Sequence, residues 1–147
     1  YPDKSYLVDK LVPVVQEEWM HFKLVLDELK KRNLQLGQQR KDEYVNDLLK
    51  FVSTSKEYRL LDKLLMSGLI EARSCERFRL LSLEISDDSL KQFYHNLMRA
   101  EAAHYRMFLD IAEQYYPKET VKKRWEEWLS YETKVLKEIE LRGDRMH

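Results

Sequence analysis

Two Glu-x-x-His motifs, Glu18-x-x-His21 and Glu101-x-x-His104, fall at positions where the surrounding pattern asks for a core hydrophobe. The inward series around the first runs Leu7, Leu11, Val14, Glu18, His21, Val25, and around the second Leu90, Tyr94, Leu97, Glu101, His104, Phe108, Ile111. Alternating spacings of four and three mark one face of an α-helix. Ionised carboxylates on core faces, left without partners, would cost several kcal/mol each, so these groups need positive charge between them. A carboxylate-bridged metal pair inside a helix bundle meets that need. The competing reading has each His salt-bridged to its own Glu on a half-buried helix, which explains one motif more readily than two.

The elements that must carry these groups are legible from composition and punctuation. At 147 residues the chain suits one domain, residues 1–147, with a single core. Only three Gly and three Pro, with 35% charged residues, predict an all-α fold. Lys+Arg and Asp+Glu balance at 26 each, which excludes a global field favouring polyanions, so any such partner must be held locally. One cysteine excludes a disulfide framework and a Cys-based zinc or iron–sulfur site, and fits a reducing cytoplasm. No apolar run approaches a membrane span or signal-peptide core. The chain opens on Tyr1 rather than Met, so its beginning is expected to lie before this sequence.

A first helix is predicted from Asp3–Ser5 to about Arg32, with a local kink at Pro13. Asn33 to Lys41 reads as a loop, followed by a short helix around Asp42 to Val52 and a break at Ser53–Ser55. A long helix follows from about Lys56 to Ile85, then a tight connection with Ser86 or Asp87 as N-cap, and a helix to about Tyr116. Pro117 suits the first turn of a last helix, running to about Arg142 with Val121, Trp125, Trp128, Val135 and Ile139 inward.

The hairpin about Ser86 supplies a geometric test for a further ligand. Glu101 lies about 15 residues beyond the turn, so the level opposite it is reached about 15 residues before, near Glu71. Glu71 shares a stripe with Leu64, Gly68, Cys75, Phe78 and Ile85, and Gly68 one turn away leaves room. Its rival Glu76 lies on a second stripe with Leu65, Leu69, Ala72, Leu80 and Leu83, about 140° away and nearer the connection. Glu71 is the favoured ligand and Glu76 a supporting salt-bridge partner.

The run Ile70-Glu71-Ala72-Arg73-Ser74-Cys75-Glu76-Arg77-Phe78, then Phe93-Tyr94-His95 and Glu101-Ala102-Ala103-His104-Tyr105, resembles the tRNA 2-methylthio-isopentenyl-adenosine hydroxylases, the MiaE-type family. Glu17-Glu18-Trp19-Met20-His21 is similar to that family's first Glu-x-x-His. The resemblance covers nearly the whole chain. It implies a ferritin-like four-helix bundle with additional helices, holding two non-haem iron ions. It also implies hydroxylation of the isopentenyl side chain of a modified adenosine next to the tRNA anticodon, with dioxygen as co-substrate and two electrons from an external donor, a reductase or ferredoxin. Carried over residue by residue, it makes Glu18, His21, Glu71, Glu101 and His104 the iron ligands. The family's further Glu, on an earlier helix, has no match here, so the first bundle helix is expected to precede residue 1. Were the chain complete, Glu132, on the stripe of Trp125, Trp128 and Val135, would be the substitute.

Carboxylate and imidazole donors suit iron or manganese, and each His should donate its other ring N–H to a neighbouring acceptor. RNA binding would need planes that hold a lifted base and cations that meet phosphates. Candidate patches are Lys30-Lys31-Arg32 with Arg40-Lys41, and Lys122-Lys123-Arg124. Tyr44, Tyr58, Tyr94, Tyr105, Tyr115 and Tyr116 are candidate stacking residues, although aromatics at helical spacing usually belong to a core. Cys75 reads as a small buried hydrophobe, and His95 and His147 as surface or terminal residues. Two other functions share these features. A ferritin-like oxidase or iron-handling protein would keep the ligands, and a metal-free interaction protein would pair the buried Glu with Arg73 or His.

Overall fold

The computed structural model describes residues 1–38 and 41–139. Five helices run along the chain: α1 (Ser5–Lys31), α2 (Glu43–Leu49), α3 (Arg59–Glu84), α4 (Asp88–Tyr115) and α5 (Lys118–Glu138). No strand occurs among the described residues. The chain divides into two compact units, Tyr1–Lys41 and Asp42–His147.

In the first unit α1 continues through Pro13 as one helix. Its end is built from Asn33 at φ 55°, a left-handed position that Asn tolerates. The Leu34 N–H then reaches back to the Leu29 carbonyl at 2.9 Å and Asn33 N–H to Lys30 at 3.0 Å, satisfying carbonyls the helix leaves open. Beside the Glu18/His21 stripe runs a wholly apolar one at the same spacing: Val8, Val12, Val15, Trp19 and Phe22, exposed by 41, 52, 68, 62 and 41%. Trp19 and Phe22 lie against each other at 5.7 Å.

In the second unit, α3 and α4 pack along their length as an antiparallel hairpin. The connection is fixed by Asp87, whose carboxylate accepts from the Ser89 N–H at 2.8 Å and Leu90 N–H at 3.1 Å. The core gathers where α2 and α5 cover this hairpin. Leu48, Leu61, Leu65, Leu69, Ile111 and Trp128 are fully buried, each contributing about 1.5–3 kcal/mol relative to exposure. Towards the connection the burial thins, and Leu80 and Leu83 on the second stripe of α3 are 44% and 59% exposed.

The expected elements are present with small shifts. α3 begins at Arg59 rather than Lys56, because Ser55 Oγ and its carbonyl meet the Tyr58 and Arg59 N–H groups. Pro117 caps α5 from outside the first turn. Val121, Trp128 and Val135 are buried as expected, and Trp125 and Ile139 are half-buried. Arg40, the end of the last helix at Arg142 and His147 lie outside the described residues.

At Gly68 α4 lies close against α3. A Cβ there would stand 3.4 Å from the Phe108 Cβ and 3.7 Å from the Tyr105 carbonyl oxygen. The space expected beside Glu71 is therefore already filled by α4. Gly68→Ala should fold with near-native stability, whereas Gly68→Leu should lose about 1–3 kcal/mol by forcing the helices apart. Urea unfolding of both variants checks this, and a fully stable Gly68→Leu would refute the close approach.

Candidate metal centre

The hairpin register does what equal rise per residue requires. Glu71 on α3 and Glu101 and His104 on α4 each offer one ligand atom, all within 4.8 Å of one another. Glu101 and His104 are buried, at 6% and 4% exposure, and Glu71 is half-buried. Two carboxylates brought this close repel unless a cation or proton lies between them. The donor set, carboxylate oxygen and imidazole nitrogen without thiolate, fits iron or manganese.

The cation that a metal-free arrangement would use is committed elsewhere. Arg73 donates from Nε to Glu132 Oε1 at 3.0 Å and from Nη2 to Glu132 Oε2 at 2.8 Å, and its Nη1 pairs with Glu76. Glu132 is 3% exposed, and the buried Tyr44 phenol donates to its Oε1 at 2.6 Å. Glu132 thus closes a lock among α2, α3 and α5, and both its oxygens are occupied. Glu76 is largely exposed on the Arg73 side of α3, away from the Glu71 group.

On α1, Glu18 Oε1 lies 3.5 Å from His21 Nδ1, with the side chains 45% and 18% exposed. The first motif was expected on a core face, yet Glu18 is open to solvent. On the same stripe Leu7 is buried and His21 is less exposed than Glu18.

Several other expectations resolve differently. Arg124, taken for an RNA-facing cation, is bound inside. Its Nε donates to Asp62 Oδ1 at 2.7 Å and its Nη2 to Asp62 Oδ2 at 3.0 Å, while Nη1 meets Glu127 at 2.6 Å. Asp62 is fully buried and also accepts from Trp128 Nε1 at 3.1 Å and the Ser53 N–H at 2.8 Å. Sequence reasoning missed Asp62, although it heads the stripe of Leu65 and Leu69 and so occupied a core position. Lys31 and Arg32 pair with Glu28, and Lys30 with Asp27. Tyr44 is buried, Tyr94 stacks on Phe78 at 5.8 Å, Tyr105 meets Trp125 at 5.9 Å, and the Tyr116 hydroxyl donates to the Glu57 carbonyl at 3.0 Å. Tyr58 is 37% exposed. Cys75 is only partly buried; burial first, then the Glu101 charge, pushes its thiol above the ordinary value.

A helical hairpin that sets two carboxylates and a histidine at one level is the architecture of the ferritin-like metal proteins, and the fold class is all-α and ferritin-like. A solved structure, "Protein 43 with aldehyde deformylating oxygenase activity from Synechococcus", superposes with a TM-score of 0.86 at 35% identity, covering 91% of this chain and 67% of that one. The family model described as tRNA-(MS[2]IO[6]A)-hydroxylase (MiaE) matches residues 1–147, and the chain belongs to that family. Among its relatives is the tRNA 2-(methylsulfanyl)-N(6)-isopentenyladenosine(37) hydroxylase of Salmonella typhimurium, 39% identical over 108 residues, 74% of this chain and 40% of the relative. The Pseudomonas putida protein of the same name is 35% identical over 109 residues, 74% of this chain and 53% of the relative. The chain therefore spans about half the length of these relatives, or less. No helix among the described residues is long and apolar enough to cross a membrane.

The Glu132 lock should carry measurable stability. Glu132→Ala strands Arg73 and Tyr44 and should cost about 3–5 kcal/mol, whereas Tyr44→Phe, which removes one bond to a charged group, should cost about 1.5–3 kcal/mol. Burial, then the bond to Glu132, raises the Tyr44 phenol above its ordinary 10.0. The folded state thus holds that proton more tightly than the unfolded chain. Its contribution is complete below about pH 10 and is lost as pH rises through the folded value. Tyr44→Phe should flatten this alkaline decline in denaturant titrations, and an unchanged pH profile would contradict the coupling.

Proposed function

We propose that this chain forms the metal-binding part of a non-haem di-iron hydroxylase acting on the isopentenyl side chain of 2-methylthio-N6-isopentenyladenosine next to the tRNA anticodon. What carries the reading is the convergence of Glu71, Glu101 and His104 on the α3–α4 hairpin of a MiaE-family chain. The two relatives are named as hydroxylases of that nucleoside.

In this reading Glu18 and His21 join Glu71, Glu101 and His104 as iron ligands. One Glu-x-x-His from each of two helices gives each metal its own imidazole. When bound, the two irons supply the dioxygen-dependent oxidation of an unactivated C–H bond, with electrons from an external reductase or ferredoxin. The chain's own residues hold and orient. Glu101 and His104 sit on a buried stripe that excludes water from one side of the centre. Arg73, tied to Glu132, fixes the face of α3 opposite Glu71 and so steadies that ligand's helix. No side chain is needed as a general base. A tRNA substrate suits a cytoplasmic enzyme.

The test is Glu101→Ala in the full-length protein. Iron per chain should fall steeply, and hydroxylated nucleoside from isopentenylated tRNA should vanish, while far-UV circular dichroism keeps its helical signal. Full iron stoichiometry in the variant would sink the ligand assignment. Wild-type protein that consumes oxygen with iron but yields no nucleoside product would favour a ferritin-like oxidase not acting on RNA.

A further inference from the structure

Three described arginines, Arg73 and Arg77 on α3 and Arg124 on α5, divide sharply. Arg73 and Arg124 are each clamped by carboxylates. Arg77, one turn beyond Arg73 on α3, is not. It is half-buried, its Nε is sealed from solvent without a hydrogen-bond partner, and its one side-chain bond runs from Nη2 to the neutral Ser74 Oγ at 3.0 Å. Burial dominates its electrostatics and weakens its hold on its proton, and the charges acting on it include Asp42, Arg73 and Glu101 without an ion pair to any of them. A guanidinium that has lost water and gained no anion is in an unfavourable state, which a ligand with anionic oxygens would relieve.

We propose that Arg77 is a phosphate-binding residue, receiving a backbone phosphate of the RNA beside the nucleoside whose side chain reaches the Glu71–Glu101–His104 layer. This rests on the reading of the site as acting on tRNA. Three features select a phosphodiester. Arg77 keeps Nη1 for a charge-assisted contact of the kind guanidinium makes with phosphate. It lies within electrostatic reach of Glu101, so a nucleotide held there stays near the ligand layer. Part of the basic patches that looked suited to RNA is neutralised, at Arg124 by Asp62 and Glu127 and at Lys31 and Arg32 by Glu28. A site of this kind fixes register rather than reading sequence.

The experiment titrates full-length protein with a fluorescent anticodon stem-loop across a salt series, for wild type, Arg77→Ala, Arg77→Gln and Arg77→Lys. The two neutral variants should bind about 10-fold more weakly or worse. Their slope of log K against log salt should be shallower by about 0.7–0.9, the loss of one phosphate contact. Arg77→Lys should restore the slope but only part of the affinity, and iron per chain and the helical signal should stay at wild-type levels throughout. Stem-loops carrying one neutral methylphosphonate beside the modified adenosine should bind wild type more weakly and Arg77→Ala no more weakly, a test that needs only one variant to fold.

Unchanged affinity and slope in the neutral variants would overturn the assignment while leaving the tRNA reading intact. Loss of iron or of folded structure in every variant, with all methylphosphonate stem-loops bound as well as the natural one, would also overturn it and mark Arg77 as structural. If the wild-type protein itself binds no stem-loop, the functional reading fails first and this inference falls with it.

Discussion

The close contact of α3 with α4 is the constraint on which the candidate centre depends. A carboxylate ligand works only if its oxygen stands within a few ångströms of its partners, and Glu71 and Glu101 are separated in sequence by an entire hairpin. Their meeting needs a connection of fixed length, set by the Asp87 cap, and helices near enough for short side chains to converge. Gly68, one turn before Glu71, permits that approach against Phe108 and Tyr105. A wider interhelical spacing would leave the ligand atoms apart and remove the reason for burying them.

The opposite face of α3 is held by charge as well as by apolar bulk. Glu132 receives Arg73 and Tyr44, and Asp62 receives Arg124, Trp128 and the Ser53 backbone. Each carboxylate is buried and fully occupied, the condition under which a buried ion avoids a large desolvation penalty. The consequence reaches the site, because the buried Asp62 and Glu132 are neutralised by arginine whereas Glu101 is gathered with a histidine. Arg73 is bound to Glu132 and Glu76 rather than to Glu71 or Glu101.

Much of this was legible in the sequence. The stripe of Leu97, Glu101, His104, Phe108 and Ile111 is buried as its spacing demands, and symmetry about Ser86 pointed to Glu71 rather than Glu76. What could not be read was pairing between distant helices. Asp62 and Glu132 both occupy core positions, yet nothing in helical periodicity tells which arginine reaches them across 62 or 59 residues. The Lys122-Lys123-Arg124 run illustrates the same limit, since a basic string does not reveal that its last member turns inward. The exposure of Glu18 was also not legible: its side chain is 45% exposed although it shares a stripe with the buried Leu7 and with His21.

The sorting of charge also bears on how a chain with 26 basic and 26 acidic residues could engage a polyanion. Most counterion-driven affinity comes from many cations acting together, and here several of the arginines are already spent inside the fold. On the proposed reading, recognition must lean on a few placed contacts and on insertion of an unstacked base, the mode available for single-stranded loops. Such a mode tolerates neutrality, because the energy is concentrated where the reacting group must be held. Arg77, half-buried on α3, within electrostatic reach of Glu101 and without an ion pair among the described residues, is the kind of placed contact that such an economy of charge calls for.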